Sequence, residues 1–128
     1  MKKLVLIMLF GLTVPVLAGK TQPAYEPEIF IEGNHSSEKI AQVIKSALSG
    51  RTWAVKGEEK GVIKSQIWVR SHSAKIRITY TKKSIKIHFE ASENLNESRK
   101  GDTVFIHRNY NRWITNLEND IKAGLFSL

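Results

Sequence analysis

The sequence predicts an α+β domain, an antiparallel meander of about four strands with two helices packed on one face. Apolar residues recur every three or four positions in residues 40–48 and again in residues 106–125, the spacing of one face of a helix. Between these segments, residues 53–89 alternate apolar and polar side chains, which is typical of strands with one buried face. The turns between the alternating runs are short, so neighbouring strands are expected to pair antiparallel.

The first residues have the organisation of a secretory signal peptide. Lys2 and Lys3 precede an apolar stretch at residues 4–14, and residues 16–18 have the small-residue pattern of a cleavage site. The apolar stretch is shorter than the roughly 20 residues that span a bilayer, so we expect cleavage after Ala18. The chain has no cysteine, which excludes both a lipidated cysteine and a disulfide. A soluble product that is periplasmic or secreted is therefore predicted.

The segment at residues 19–35 is predicted to be an extended leader. Its two prolines and its weak apolar pattern oppose a helix, and residues 28–32 (EIFIE) favour a short strand. A single α+β domain is expected to follow at residues 36–128.

The first helix has recognisable start and stop signals. Ser36 or Ser37 can cap its amino terminus, and Gly50 is expected to end it. Its apolar face comprises Ile40, Val43, Ile44, Ala47 and Leu48.

Four alternating runs follow this helix. The first contains Trp53 and Val55, and turns are expected at residues 57–61, 71–73 and 81–84. The inward-facing residues of the other three runs are Ile63, Ile67, Val69, Ala74, Ile76, Ile78, Tyr80, Ile85, Ile87 and Phe89. Residues 91–103 are polar and are predicted to form a loop.

The last helix is predicted to begin at Ile106. Its many arginine, asparagine and aromatic residues are also common in nucleic-acid readers. On a helical wheel, however, its apolar residues fall within an arc of about 120°. This stripe comprises Ile106, Tyr110, Trp113, Ile114, Leu117, Ile121 and Leu125, with Arg108 and Arg112 on the opposite side. We therefore predict a core helix.

Positive charge is concentrated on the predicted sheet. Residues 60–89 contain eight basic residues and no acidic residue, in a chain of net charge +8. Alternation places several of them on the face opposite the helices, beside one tryptophan. The predicted contact residues are Lys64, Trp68, Arg70, Lys75, Arg77 and Lys86. Cations beside an aromatic ring can bind anionic polymers through charge and stacking. The alternative is a solvated sheet face whose lysines oppose aggregation.

An exported basic protein has a restricted set of anionic partners. We expect no nucleic-acid partner, because export removes the protein from most nucleic acid. Lipopolysaccharide, phospholipid head groups, acidic glycan and acidic proteins remain as candidate partners. The predicted function is therefore a periplasmic binding or accessory module that uses its basic sheet face.

Signals for catalysis are weak in this sequence. Its four histidines are scattered without an HExxH motif, and there is no GxSxG elbow, P-loop or dinucleotide fingerprint. We predict no metal, no cofactor and no catalytic residue. Two alternatives stay open: a small hydrolase or transferase that uses His72 or His107, and a structural partner that docks on an envelope complex by a sheet edge.

Several motifs together resemble an uncharacterised family of small bacterial envelope proteins, many of which look like lipoproteins. The matching residues are Arg51, Trp53, Arg70-x-His72-x-Ala74, Ile78-x-Tyr80, Ser92-x-Asn94-Leu95 and Ile106-His107-x-x-Tyr110-Asn111-x-Trp113 with Leu117. The resemblance covers residues 28–125 and implies an envelope location and this fold, but no established activity. The chain departs from it by lacking a lipidation cysteine, by Thr52 in place of glycine and by Ala91 in place of an acidic residue.

The polar residues of the shared pattern form a second candidate set. We call this set the polar brace: His72, Ser92, Asn94, His107, Tyr110 and Asn111. We expect the loop at residues 92–95 to meet the start of the last helix, with His107 and Asn111 holding it. A hydrogen-bonded brace is favoured over a ligand pocket, because half-buried polar groups need partners in any case.

Overall fold

A computed structural model describes residues 20–128, so the predicted signal peptide at residues 1–18 lies outside the described residues. The elements in chain order are β1 (Thr21–Pro23), β2 (Glu28–Phe30), α1 (Ser37–Gly50), β3 (Ala54–Glu59), β4 (Val62–Val69), β5 (His72–Tyr80), β6 (Ser84–Glu93), β7 (Ser98–Lys100), β8 (Thr103–His107) and α2 (Arg108–Phe126). They form a five-stranded antiparallel sheet of order β2-β6-β5-β4-β3 and a three-stranded sheet of order β1-β8-β7. The predicted α+β class with two helices is confirmed. Neither α1 nor α2 combines the length and the apolar character of a membrane-spanning helix.

The five-stranded sheet contains the predicted meander, because β3, β4, β5 and β6 pair in chain order. Ile63, Ile78 and Ile87 lie side by side on β4, β5 and β6, and all three are fully buried. They belong to one core cluster with α1 and α2 residues such as Ile44 and Ile114. Full burial of each such side chain contributes about 2 kcal/mol. The alternate residues of the same strands therefore point away from the helices.

Helix α1 ends in a Schellman arrangement at Thr52. The N–H of Trp53 donates to the carbonyl of Leu48 at 2.9 Å, and the N–H of Thr52 donates to Ser49 at 3.1 Å. Thr52 has a φ of 64°, a conformation in which glycine is favoured and a β-branched residue is strained. The helix ends at Gly50, as predicted, but the left-handed position that follows it is occupied by Thr52 rather than by a glycine.

The amino terminus of α1 was predicted correctly, and that of α2 was not. Ser36 caps α1, and its hydroxyl accepts a hydrogen bond from the N–H of Lys39 at 3.1 Å. The predicted start of the last helix at Ile106 is wrong, because residues 103–107 form β8 and the helix begins at Arg108. Ile106 points into the core from β8, so the helical wheel identified its burial but not its conformation.

Residues 91–103, predicted to be a loop, are largely strand. β6 continues to Glu93, and Asn94 and Asn96 then turn the chain with φ values of 59° and 56°. Residues 98–100 form β7 and pair with β8. The alternation rule missed β7 because all three of its residues are exposed, so no buried face marks it.

The leader is held against α2. The N–H of Arg108 donates to the carbonyl of Lys20 at 3.0 Å, and the hydroxyl of Tyr25 donates to the Glu118 carboxylate at 2.9 Å. Glu118 is buried, and its other oxygen lies 3.2 Å from the amine of Lys122. Together with β1 and β2, these contacts make residues 20–30 part of the packed domain.

Candidate functional site

The sheet face opposite the helices carries most of the predicted contact residues. Lys64 lies directly opposite Arg77, and Lys86 lies opposite Thr79, two residues further along β5. Directly opposed residues share a face, as do alternate residues of one strand. The five predicted residues on this face are Lys64, Trp68, Lys75, Arg77 and Lys86.

Arg70 is not on this face. It lies with Ser71 in the two-residue turn between β4 and β5, with a φ of 59°. Lys82 and Lys83 similarly lie in the turn between β5 and β6. The alternation rule placed Arg70 wrongly because it applies only within a strand, and β4 ends at Val69.

Acidic groups lie along the β6 side of the face. The register between β5 and β6 shifts at Glu90, and the Glu90 carboxylate lies 3.3 Å from Nε of Arg77. The amine of Lys86 donates to the backbone carbonyl of Glu26 at 3.1 Å. Arg77 and Lys86 are therefore already engaged within the protein. The acid-free character predicted for the face does not extend to this side.

On the β3 to β5 side of the face, exposed lysines lie on the same surface as Trp68. Within residues 20–128, Lys64 and Lys75 form no ion pair. The amine of Lys56 lies 5.7 Å from the centroid of the Trp68 ring, a cation–π distance. The Trp68 side chain is 54% exposed. We call Lys56, Lys64, Trp68 and Lys75 the cationic strip.

Lys56 was missed by the sequence analysis, although the signal for it was present. It alternates with Val55 in β3, so the rule applied to β4 and β5 also places Lys56 on the outer face. Lys56, Lys64 and Lys75 line one open depression of about 240 Å³ between their strands, and Glu90 lines it as well. The strip is therefore shallow rather than a deep pocket.

His88 adds a titratable group to the same face. It lies opposite Arg77, and its Nε2 is 2.9 Å from the hydroxyl of Thr79. Burial and then the neighbouring Arg77 cation lower the pKa of His88 below its ordinary value. The neutral ring is therefore favoured, and His88 adds little charge to the face in neutral solution.

The polar brace connects several segments of the chain. Nδ1 of His72 lies 2.6 Å from the carbonyl of Asn94, and the Asn94 amide donates to the hydroxyl of Ser71 at 2.7 Å. The backbone N–H of His107 donates to the carbonyl of Leu95 at 2.8 Å. The loop therefore meets the start of α2, as expected, but the contact from His107 is made by its backbone.

The side chains of His107 and Asn111 do not bond to the loop at residues 92–95, contrary to the prediction. Nδ1 of His107 accepts a hydrogen bond from the N–H of Asn109 at 3.0 Å and so caps α2. The amide oxygen of Asn111 accepts from the N–H of Tyr25 at 2.8 Å, and its amide nitrogen donates to the carbonyl of Pro23 at 3.0 Å. Asn111 therefore fastens the leader rather than the loop at residues 92–95.

Tyr110 and Ser92, the remaining brace residues, contact different groups. Tyr110 is fully buried against Phe89 with ring centroids 5.3 Å apart, and its hydroxyl has no hydrogen-bond partner among the described residues. Burial, with a smaller effect of the Glu26 carboxylate, raises the pKa of Tyr110 above its ordinary value. The hydroxyl of Ser92 donates to Glu97 at 2.8 Å. The six brace residues thus make their contacts to several different segments of the chain.

Between residues 20 and 128, no group of three or more histidine, aspartate or glutamate side chains could hold a metal ion. Comparisons of the chain with protein-family models, with curated proteins and with solved structures find no match. The geometry of the cationic strip is therefore the observation that bears most directly on function.

Proposed function

We propose that this protein is an exported, non-enzymatic binding module that holds an anionic component of the bacterial envelope against its cationic strip. The observation that carries the proposal is the exposed ring of Trp68 beside Lys56, on a strip whose lysines form no ion pair within residues 20–128. A ring with a lysine amine over one part of its surface can still stack on a sugar or pack against an acyl or head-group surface.

The small binding energy of each single contact favours a ligand that carries repeated charge. Each exposed lysine contributes at most about 1 kcal/mol to an ion pair. Stacking on Trp68 adds about 1 kcal/mol, so one isolated phosphate or carboxylate would bind only at roughly millimolar concentration. A polymer or a membrane surface raises the effective concentration of neighbouring charges and so reaches useful affinity. Lipopolysaccharide, anionic phospholipid and acidic glycan all present charge in this form.

Export is supported by the sequence and fits the boundaries of the fold. Residues 1–18 have the signal-peptide pattern, and β1 begins at Thr21. Cleavage after Ala18 would therefore leave every described strand intact, including β1, which pairs with β8. The resemblance to envelope proteins supports the same location.

The experiment compares two variants of equal charge. Lys64→Gln with Lys75→Gln removes two cations of the strip, whereas Lys82→Gln with Lys83→Gln removes two exposed cations of the β5–β6 turn. Binding is titrated against lipopolysaccharide, phosphatidylglycerol vesicles and polygalacturonate at several salt concentrations. We expect the strip variant to bind its preferred ligand about tenfold more weakly and with a salt slope lower by roughly two.

The control variant should keep most of the affinity. An equal loss in both double variants would mean that net charge alone drives binding and would remove the role of the strip. Binding that does not respond to salt would also contradict the proposal. The alternative enzyme would be supported instead if the protein turned over an envelope substrate, if this activity required His72 or His107, and if its rate varied with pH in the range typical of histidine.

A further inference from the structure

We infer that a second interaction surface lies along β2, at the sheet edge farthest from β3, and that it takes an extended, cationic and apolar segment of a partner protein. This surface is separate from the cationic strip and has the opposite charge. Its parts are an open strand edge, an exposed apolar groove and two glutamates. The inference does not depend on the proposed function.

The backbone of β2 has an open edge. The N–H of Ile87 donates to the carbonyl of Pro27 at 3.1 Å, and the N–H of Ile31 donates to Lys83 at 2.8 Å. The backbone groups of the odd-numbered residues 27–31 therefore point toward β6. Because successive residues of a strand point in opposite directions, the N–H and carbonyl groups of Glu28 and Phe30 point away from the sheet. β2 is the terminal strand of the five-stranded sheet, so these groups can pair with an added strand.

The side chains beside this edge form an apolar groove. Phe30 is 74% exposed and Phe126 is 93% exposed, and both line a groove of about 510 Å³. Leu125 and Leu128 contribute further apolar surface to it. Exposed aromatic side chains that cluster beside an open edge are typical of a protein interaction site. An added strand could pair with the backbone of β2 and place alternate apolar side chains in this groove.

The charge of the groove selects the partner. Glu28 and Glu32 line it, and neither forms an ion pair within residues 20–128. Lys122 also lines the groove, but its amine lies 3.2 Å from the Glu118 carboxylate and is already paired with it. The groove is therefore acidic in a chain whose net charge is +8. A segment that alternates apolar with cationic residues complements it, whereas anionic lipid or polymer is repelled.

Symmetric pairing with a second copy of this chain fits the charges poorly. If β2 paired antiparallel with its own copy about Phe30, Glu28 of each chain would lie opposite Glu32 of the other. Like charges directly opposed on paired strands are destabilising. The edge therefore favours a different chain.

The test uses a peptide of alternating lysine and valine, blocked at both ends, with binding followed by fluorescence anisotropy. Peptides of alternating glutamate and valine, and of alternating lysine and serine, test charge and apolar contact separately. We expect both to bind at least about tenfold more weakly than the lysine–valine peptide. N-methylation of every lysine or every valine tests backbone pairing, and one of these two peptides must lose binding because only one set of amides faces β2.

Variants assign the binding to the groove. Phe30→Ser and the double variant Glu28→Gln with Glu32→Gln should each weaken the lysine–valine peptide about fivefold or more. Glu59→Gln with Asp102→Asn removes two exposed acidic groups outside the groove, so it serves as the matched control and should leave peptide binding unchanged. Equal binding of all three peptides, equal binding of both N-methylated peptides, or an unchanged Phe30→Ser protein would overturn the inference. Sedimentation that shows a dimer dissociating on Phe30→Ser would assign the edge to a second copy and would also overturn it.

Discussion

In the cationic strip, Trp68 is exposed, and Lys64 and Lys75 form no ion pair within the described residues. In the polar brace, by contrast, His72 and Asn111 each hold another segment of the chain through a hydrogen bond. Both sets consist of polar or amphipathic side chains. The difference is whether the fold itself has used their bonding capacity. Groups whose capacity is unused are available to a partner, whereas groups already bonded stabilise the fold.

The energetic consequences of the two arrangements are opposite. A hydrogen bond within the brace contributes about 1 kcal/mol to folding. Exposed lysines in the strip contribute close to zero to folding but become useful when an anion arrives. Substitutions in the brace should therefore change stability, and substitutions in the strip should change binding. The following predictions test that separation.

Asn111→Ala should have the largest effect on stability. It leaves the N–H of Tyr25 and the carbonyl of Pro23 without their present partner, so we expect the free energy of unfolding to fall by about 2 kcal/mol. Chemical denaturation measures this change. Asn119→Ala, at an exposed position of the same helix, is the control and should change stability little. Similar losses in both variants would contradict the role of Asn111.

Trp68→Thr should change binding without changing stability. Threonine keeps the strand preference of the position but removes the ring. We expect affinity for the preferred anionic ligand to fall about tenfold and the free energy of unfolding to change by less than about 0.5 kcal/mol. A large loss of stability with unchanged binding would place Trp68 with the brace residues instead.

His107→Ala removes the cap of α2. Loss of the bond from the Asn109 N–H should lower the free energy of unfolding by about 1 kcal/mol, with no change in ligand affinity. His107→Asn should recover most of the stability, because asparagine is also a favourable cap. Unchanged stability together with lost activity in cells would instead favour a ligand site at His107.

Tyr110→Phe should behave unlike the other brace substitutions, because the Tyr110 hydroxyl has no hydrogen-bond partner in residues 20–128. The substitution keeps the edge-to-face contact with Phe89 and removes a buried polar group. We therefore expect stability to stay constant or to rise by up to about 1 kcal/mol. A clear loss of stability by thermal denaturation would show that the hydroxyl makes a bond in solution.

His88 should give the smallest effect, as a pH dependence. Because its pKa is lowered in the folded protein, the unfolded chain binds the proton first as pH falls below the ordinary value of 6.5. The contribution of His88 to stability is therefore lost as pH falls from that value through the lower folded pKa. His88→Gln should flatten this part of the profile of denaturation midpoint against pH. An identical profile in the variant would contradict the lowered pKa.

Much of the architecture follows from local patterns in the sequence. Alternation in residues 53–89 determined that the isoleucines of β4, β5 and β6 point inward and that Lys64, Lys75 and Trp68 point outward. Those positions follow from period-two geometry, which is a property of each strand alone. The fold class follows from the same patterns, because a helix or sheet with one apolar face must bury that face against another element.

The tertiary structure alone decided which polar groups have partners. The register shift that brings Glu90 to Arg77, and the leader that occupies Asn111, join residues far apart in the chain. Local periodicity contains no information about such pairs, because they depend on how separate elements meet. The same reason separates the two sets of candidate residues: outward orientation could be predicted residue by residue, but whether a cation or amide is already satisfied depends on its neighbours in space.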